Sequence, residues 1–151
     1  MPIFKKTLRT DRIILAGCSR LGSSLADMLS VQNKHVVIID SDAQAFRKLP
    51  SSYSGMTMEG DGSDVDVLRE AGAARADLLA ATTDNDDINI MIALIAKQIF
   101  HIPRVVVRLL DTSKKACFTG VDVELICPAE LSMNAFRHII GDDASGMENV
   151  Q

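Results

Sequence analysis

At 151 residues, with 47% apolar and 24% charged side chains, the chain is long enough for one sizeable core, short for two, and too apolar to be disordered. Its 20 acidic residues outnumber 16 basic ones for a formal charge of −4, so no positive field draws in a nucleic-acid backbone, and nucleic acid is not expected as a partner. Cys18, Cys117 and Cys127 share no CxxC or Cys/His spacing, which points to reduced cytosolic thiols and to no metal site.

Residues 1–10 read as an N-terminal extension without the apolar run and small-residue cleavage site of a signal peptide. A strand at 12–16 leads into Gly17-Cys18-Ser19-Arg20-Leu21-Gly22 and a helix at about 21–32; a second strand, 35–40, ends on Asp40 and precedes a helix at about 42–49. Strands at 55–58, 76–81, 104–109 and 123–126 then alternate with helical patterns at about 64–73, 85–100, 113–119 and 129–140. Ser63 and Asp84 sit where helix starts are expected, and Pro128 opens the last helix. The tail, 141–151, is polar and reads as frayed. The most apolar stretch, Ile88 to Phe100, is broken by Asn89, Lys97 and Gln98 and is too short to span a bilayer. Any membrane role therefore runs through a partner.

Six alternations of strand and helix, with several strands apolar on both faces, predict an α/β fold: a Rossmann-like, doubly wound parallel sheet in three α/β/α layers, strand order 3-2-1-4-5-6. The domain is expected to cover 11–140. Ligands bind such sheets beyond the strand C-termini, where this sequence places its one phosphate-binding pattern. The segment Gly17 to Gly22 has GxGxxG spacing with Ser19 in place of the second glycine. Gly17 permits a tight turn, Gly22 allows close helix packing, and the free amides between them suit an anion at a helix N-terminus. Asp40, ending the next strand, is placed to accept both ribose hydroxyls of an adenosine ligand and to repel a 2′-phosphate, which disfavours NADP.

With these residues in hand, the chain resembles the N-terminal domain of the Trk/Ktr potassium-uptake regulators, the TrkA-N or RCK domain. The matching blocks are the glycine turn with its Arg20, Val37-Ile38-Ile39-Asp40, Gly60-Asp61-Gly62-Ser63, Thr83 to Asn89, Val105-Val106-Val107-Arg108 and Ile126-Cys127-Pro128-Ala129-Glu130. The resemblance implies a cytoplasmic regulatory subunit, peripheral to the membrane through a potassium transporter subunit. It implies an adenine nucleotide as ligand, NAD(H), AMP, ADP or ATP. Asp61 and Gly62 would border the adenine, Asp40 with Ser41 the ribose, and Thr82 and Thr83 the phosphates, with Arg20 adding positive charge. Arg20 also reads as a solvated surface residue, and Asp61 equally as an ordinary turn residue.

No catalytic residue stands out: Tyr53 lacks a lysine four positions on, and His35, His101 and His138 are isolated. An NAD-linked oxidoreductase fragment is the alternative reading. Cys18, at a helix N-terminus beside Arg20, reads either as a packed small residue or as a thiol of lowered pKa. Apolar stripes on the helices at 85–100 and 129–140 predict a homo-oligomer, at least a dimer.

Overall fold

The computed structural model describes residues 10–141. Six strands, β1 (Arg12–Ala16), β2 (His35–Asp40), β3 (Met56–Glu59), β4 (Leu78–Ala81), β5 (Arg104–Arg108) and β6 (Glu124–Ile126), form one sheet in the order β3-β2-β1-β4-β5-β6. All five pairings are parallel, as expected. The four α-helices are α1 (Arg20–Val31), α2 (Val65–Glu70), α3 (Asp86–Gln98) and α4 (Pro128–Ile140).

Side chains alternate across a strand, so an unbroken apolar run feeds two cores at once. Ile13 and Leu15 of β1, with Val36 and Ile38 of β2, pack under α1 around Ala26. Their neighbours Ile14, Ala16 and Ile39 turn to the other face and join Leu68 of α2 and Ile92, Ala93 and Ala96 of α3. Because both faces are apolar, a slip of one residue would still bury apolar side chains, and the register is held instead by the strand ends, where the Gly17 amide bonds to the Ile39 carbonyl.

Two expected helices are 3-10 helices. That over Ala43–Lys48 starts where the Asp42 carboxylate accepts from the Gln44 amide and stops at extended Leu49, which Pro50 keeps out of the helical region. That over Thr112–Phe118 is opened in the same way by Asp111, which accepts from the Ser113 amide. Both segments close i→i+3 bonds, the tighter winding that short helical pieces often adopt. The expected 64–73 helix ends at Glu70 because Gly72 adopts φ +92°. Helix starts also move by one residue: Asp64 caps α2 in place of Ser63, and Asn85 caps α3 in place of Asp84. The extension and the tail lie outside the described residues apart from Thr10 and Gly141.

No helix among the described residues is long and apolar enough to cross a membrane. α4 stands apart from the cores. None of its residues is buried, and Phe136, Ile139 and Ile140 are 62%, 80% and 75% exposed.

Candidate functional site

The turn after β1 is stapled to both neighbouring strands. The Gly17 amide donates to the Ile39 carbonyl at 2.8 Å, and the Gly17 carbonyl accepts from Thr82 Oγ1 at 2.8 Å. At φ +119°, a Cβ on Gly17 would lie 2.5 Å from the Thr83 amide nitrogen, so both conformation and space require glycine.

Ser19, the departure from the glycine pattern, caps α1. Its Oγ accepts from the Gly22 amide at 3.1 Å and donates to the Thr82 carbonyl at 2.6 Å. The side chain faces the protein interior. The amides of Ser19, Arg20 and Leu21 find no acceptor among the described residues, leaving donors at the positive end of the α1 dipole. Arg20 is exposed, the first residue of the helix.

Asp40 is held facing this turn. One carboxylate oxygen accepts from the Cys18 amide and the other from the Asp42 amide, both at 2.9 Å. A carboxylate offers about four lone-pair sites, so each oxygen retains capacity for a further donor. Behind the turn, Lys48 Nζ donates to the Cys18 carbonyl at 3.3 Å. Lys48 was not foreseen; the only sequence signal is a cation within one short helix of Asp40.

These elements frame an open cleft of about 370 Å³ beyond the C-terminal ends of β1 to β4. Of the expected site residues, Gly17, Asp40, Ser41, Asp61, Gly62 and Thr83 line it, joined by Ile39, Gly60, Asp84, Asn85 and Ile88. Cys18, Ser19, Gly22 and Thr82 are buried and shape the turn from behind, while Arg20 and Leu21 begin α1 outside the lining. Gly62 has an explicit steric reason, since a Cβ there would lie 3.2 Å from Ala16 Cβ and 3.3 Å from Ile92. Asp61 serves as both turn residue and cleft wall. Ser63 donates to it from its hydroxyl and its amide, and these bonds hold its carboxyl below the usual carboxylate range.

On the β4 side, the wall is built by Asn89, buried within α3. Its Oδ1 accepts from the Thr83 amide at 3.0 Å and lies 2.6 Å from Thr83 Oγ1; its Nδ2 donates to the carbonyls of Thr83 and Arg108 at 3.0 and 2.9 Å. Arg108 in turn reaches the Thr83 carbonyl at 2.7 Å and the Asp84 carboxylate at 2.8 Å. An amide inside an otherwise apolar helix is the one sequence signal for this network.

The Cys18 thiol is not activated. Burial, then the Asp40 carboxylate, push its pKa up against a weaker opposing pull from Lys48, and Sγ donates to the Ala45 carbonyl at 3.3 Å. Tyr53 is likewise a neutral donor, bonded to the Met56 carbonyl at 2.7 Å with its pKa pushed up to about 12 by burial.

A doubly wound sheet carrying a glycine turn, a helix N-terminus and a strand-end carboxylate around one cleft defines a Rossmann-type domain. The family model described as the TrkA-N domain matches residues 13–128, and the chain belongs to that family. It is 36% identical over 114 residues to the Trk system potassium uptake protein TrkA of Streptomyces coelicolor, covering 76% of this chain and 51% of that protein. The chain thus spans about half the length of that relative. Among solved structures, the TrkA-N domain of the Escherichia coli inner membrane protein ybaL shares the fold at TM-score 0.76 and 16% identity, covering 87% of this chain and 97% of that one. GsuK bound to ADP shares it at TM-score 0.72 and 21% identity, covering 90% of this chain and 35% of that one. The GsuK channel bound to NAD does so at 0.68 and 14%, covering 83% and 22%.

Proposed function

We propose that the cleft binds an adenine nucleotide, AMP, ADP, ATP or NAD(H), and that the domain, read as 11–140, reports that ligand to a membrane potassium transporter subunit from the cytoplasmic side. One observation carries the reading. Asp40, with lone pairs to spare, lines the cleft beside Gly17, and the acceptor-free amides of Ser19, Arg20 and Leu21 follow directly on that glycine, which puts a ribose acceptor next to a turn that offers phosphate donors. Arg20 and Lys48 add positive charge at the turn. The ADP and NAD bound to GsuK, and the potassium-uptake role in the Streptomyces protein's name, support the same ligand class and the same pathway. Asp40 disfavours the 2′-phosphate of NADP.

The test is a thermal-shift titration with these nucleotides on the wild type, Asp40→Ala and Arg20→Ala. At a hundredfold excess over Kd, a ligand binding only the folded state adds about 2.7 kcal/mol and raises Tm by roughly 5–10 °C. Asp40→Ala is expected to weaken binding about 100-fold through the lost ribose bonds, and Arg20→Ala about tenfold. A wild type whose Tm no adenine nucleotide moves would overturn the assignment.

A sensor also needs two arrangements that the ligand binds unequally, and α4 supplies the surface for an assembly. Leu131, Ala135 and Ile139 form one row and Met133, Phe136 and Ile140 the next, a wide apolar face left in solvent while Glu130, Asn134 and Arg137 occupy the opposite side. Contact between copies through this helix is the arrangement that covers it. Sedimentation at micromolar concentration should give a dimer or larger species, and Phe136→Glu should return the 16.4 kDa monomer with Tm changed by less than about 2 °C, since the side chain is 62% exposed and outside both buried cores. A wild type sedimenting only as monomer would rule the assembly out.

A further inference from the structure

The cleft poses an electrostatic problem. Three of its lining residues, Asp40, Asp61 and Asp84, are carboxylates, yet the ligand proposed for it carries phosphates. Asp40 accepts from the amides of Cys18 and Asp42, and Asp61 from the amide and hydroxyl of Ser63, so each carboxylate is partly satisfied by neutral donors. Asp84 is 85% exposed, and among the described residues Arg108 is the side chain that donates to it.

Arg108 is an unusual residue to find there. It ends β5, its side chain is 12% exposed, and a single nitrogen, Nη2, serves the Thr83 carbonyl at 2.7 Å, the Thr82 carbonyl at 3.4 Å and Asp84 Oδ1 at 2.8 Å. Its Nε is buried without a hydrogen-bond partner. Burying a guanidinium with one donor unsatisfied is a poor way to stabilise a fold, because a neutral side chain would avoid the desolvation cost. The arrangement makes sense if the charge is needed at that place.

Resting on the nucleotide reading above, we propose that Arg108 is a positioning residue that sets the preference of the cleft for phosphorylated over unphosphorylated adenosine. It holds the Thr82-Thr83-Asp84 turn through the two carbonyls, and it cancels the charge of Asp84, the carboxylate on the side where Thr83 abuts the glycine turn. Without Arg108, Asp84 faces the phosphates uncompensated, and the penalty rises with each phosphate. A merely structural role predicts something different, an equal loss for every ligand.

Calorimetric titration of the wild type and variants with adenosine, AMP and ADP separates the two. Arg108→Gln is expected to lower the ratio of ADP to adenosine affinity about twentyfold and that of AMP to adenosine about fivefold, the size of an unscreened charge contact at a protein surface. Adding Asp84→Asn in that background should restore both ratios to within about threefold of wild type. Asp84→Asn alone leaves the buried group untouched, so it reports even if Arg108→Gln does not fold. It should raise the ADP to adenosine ratio about threefold, an effect that shrinks at high salt. Ratios unchanged in Asp84→Asn, or an equal loss for all three ligands in Arg108→Gln, would overturn the role of Arg108 while leaving the nucleotide site standing. A wild type that binds none of the three removes both.

Discussion

Gly22→Ala is expected to cost about 3 kcal/mol and to lower Tm by about 6–12 °C, with the nucleotide-induced rise in Tm lost as well. A Cβ at this position overlaps the Gly17 carbonyl oxygen outright and lies 3.0 Å from Thr82 Oγ1. Neither neighbour can give way independently. Thr82 Oγ1 donates to that same carbonyl at 2.8 Å, the Ser19 hydroxyl donates to the Thr82 carbonyl at 2.6 Å, and the Gly22 amide itself donates to Ser19. Relieving the clash means lifting α1 from the sheet and breaking this chain of bonds, which also moves the amides offered to a phosphate. Gly62→Ala provides the graded comparison. Its Cβ meets side chains at 3.2 and 3.3 Å and no backbone, so about 1 kcal/mol is expected. Calorimetric melting of both variants checks the order, and a Gly22→Ala protein that melts with the wild type would show that the turn is looser than its hydrogen bonds imply.

The sheet order was legible in the sequence because each of its signals was local and repeated. Runs such as Ile13 to Ala16 and Val36 to Ile39 are apolar at every position, and only strands covered on both faces tolerate that. Asp40 could be placed because a strand end and a glycine turn share one edge in any such fold. Elements whose form depends on length and context were harder. The 42–49 and 113–119 segments carry helical composition, yet both close i→i+3 bonds, a difference that composition does not report.

The expected site residues that line the cleft, Gly17, Asp40, Ser41, Asp61, Gly62 and Thr83, all sit at strand ends or in the turns that follow them, positions the strand pattern itself marks. The sequence marks Ser19 only as a departure from the glycine pattern, because the bond that ties it to the end of β4 runs to the Thr82 carbonyl, remote in sequence. Lys48 stands in no motif, and Asn89 and Arg108 fall inside matching blocks without a role assigned to them, for the same reason. Each acts on a partner at least 19 residues away or in another element, through Cys18, Thr83 and Asp84. Cys18 left two readings open, a packed small residue or a thiol of lowered pKa; burial, then the Asp40 carboxylate, push its pKa up, in keeping with the packed residue.

Asn89→Ala carries the other large effect, about 3–5 kcal/mol of stability. The side chain is 1% exposed and its amide joins three elements, accepting from the Thr83 amide and donating to the carbonyls of Thr83 and Arg108. Its partners are mostly backbone, so no second substitution can remove them, and truncation strands them away from water. Asn89→Leu fills the space but leaves the same groups unpaired, so it should recover little. Asn89→Asp is the informative variant. Its carboxylate keeps the acceptor for the Thr83 amide but faces two carbonyl oxygens where a donor stood, which raises the carboxyl pKa in the folded state above its unfolded value. A raised folded pKa gives stability at low pH that is lost as pH rises. Asn89→Asp should therefore approach wild-type stability in acid and fall furthest behind it at neutral pH, whereas Asn89→Ala should trail by a nearly constant amount. The Thr83 turn loses its anchor in each case, so nucleotide response should fall together with stability. An Asn89→Ala melting point within about 2 °C of wild type, or a pH profile for Asn89→Asp parallel to that of Asn89→Ala, would mean that the amide does not hold the wall of the cleft.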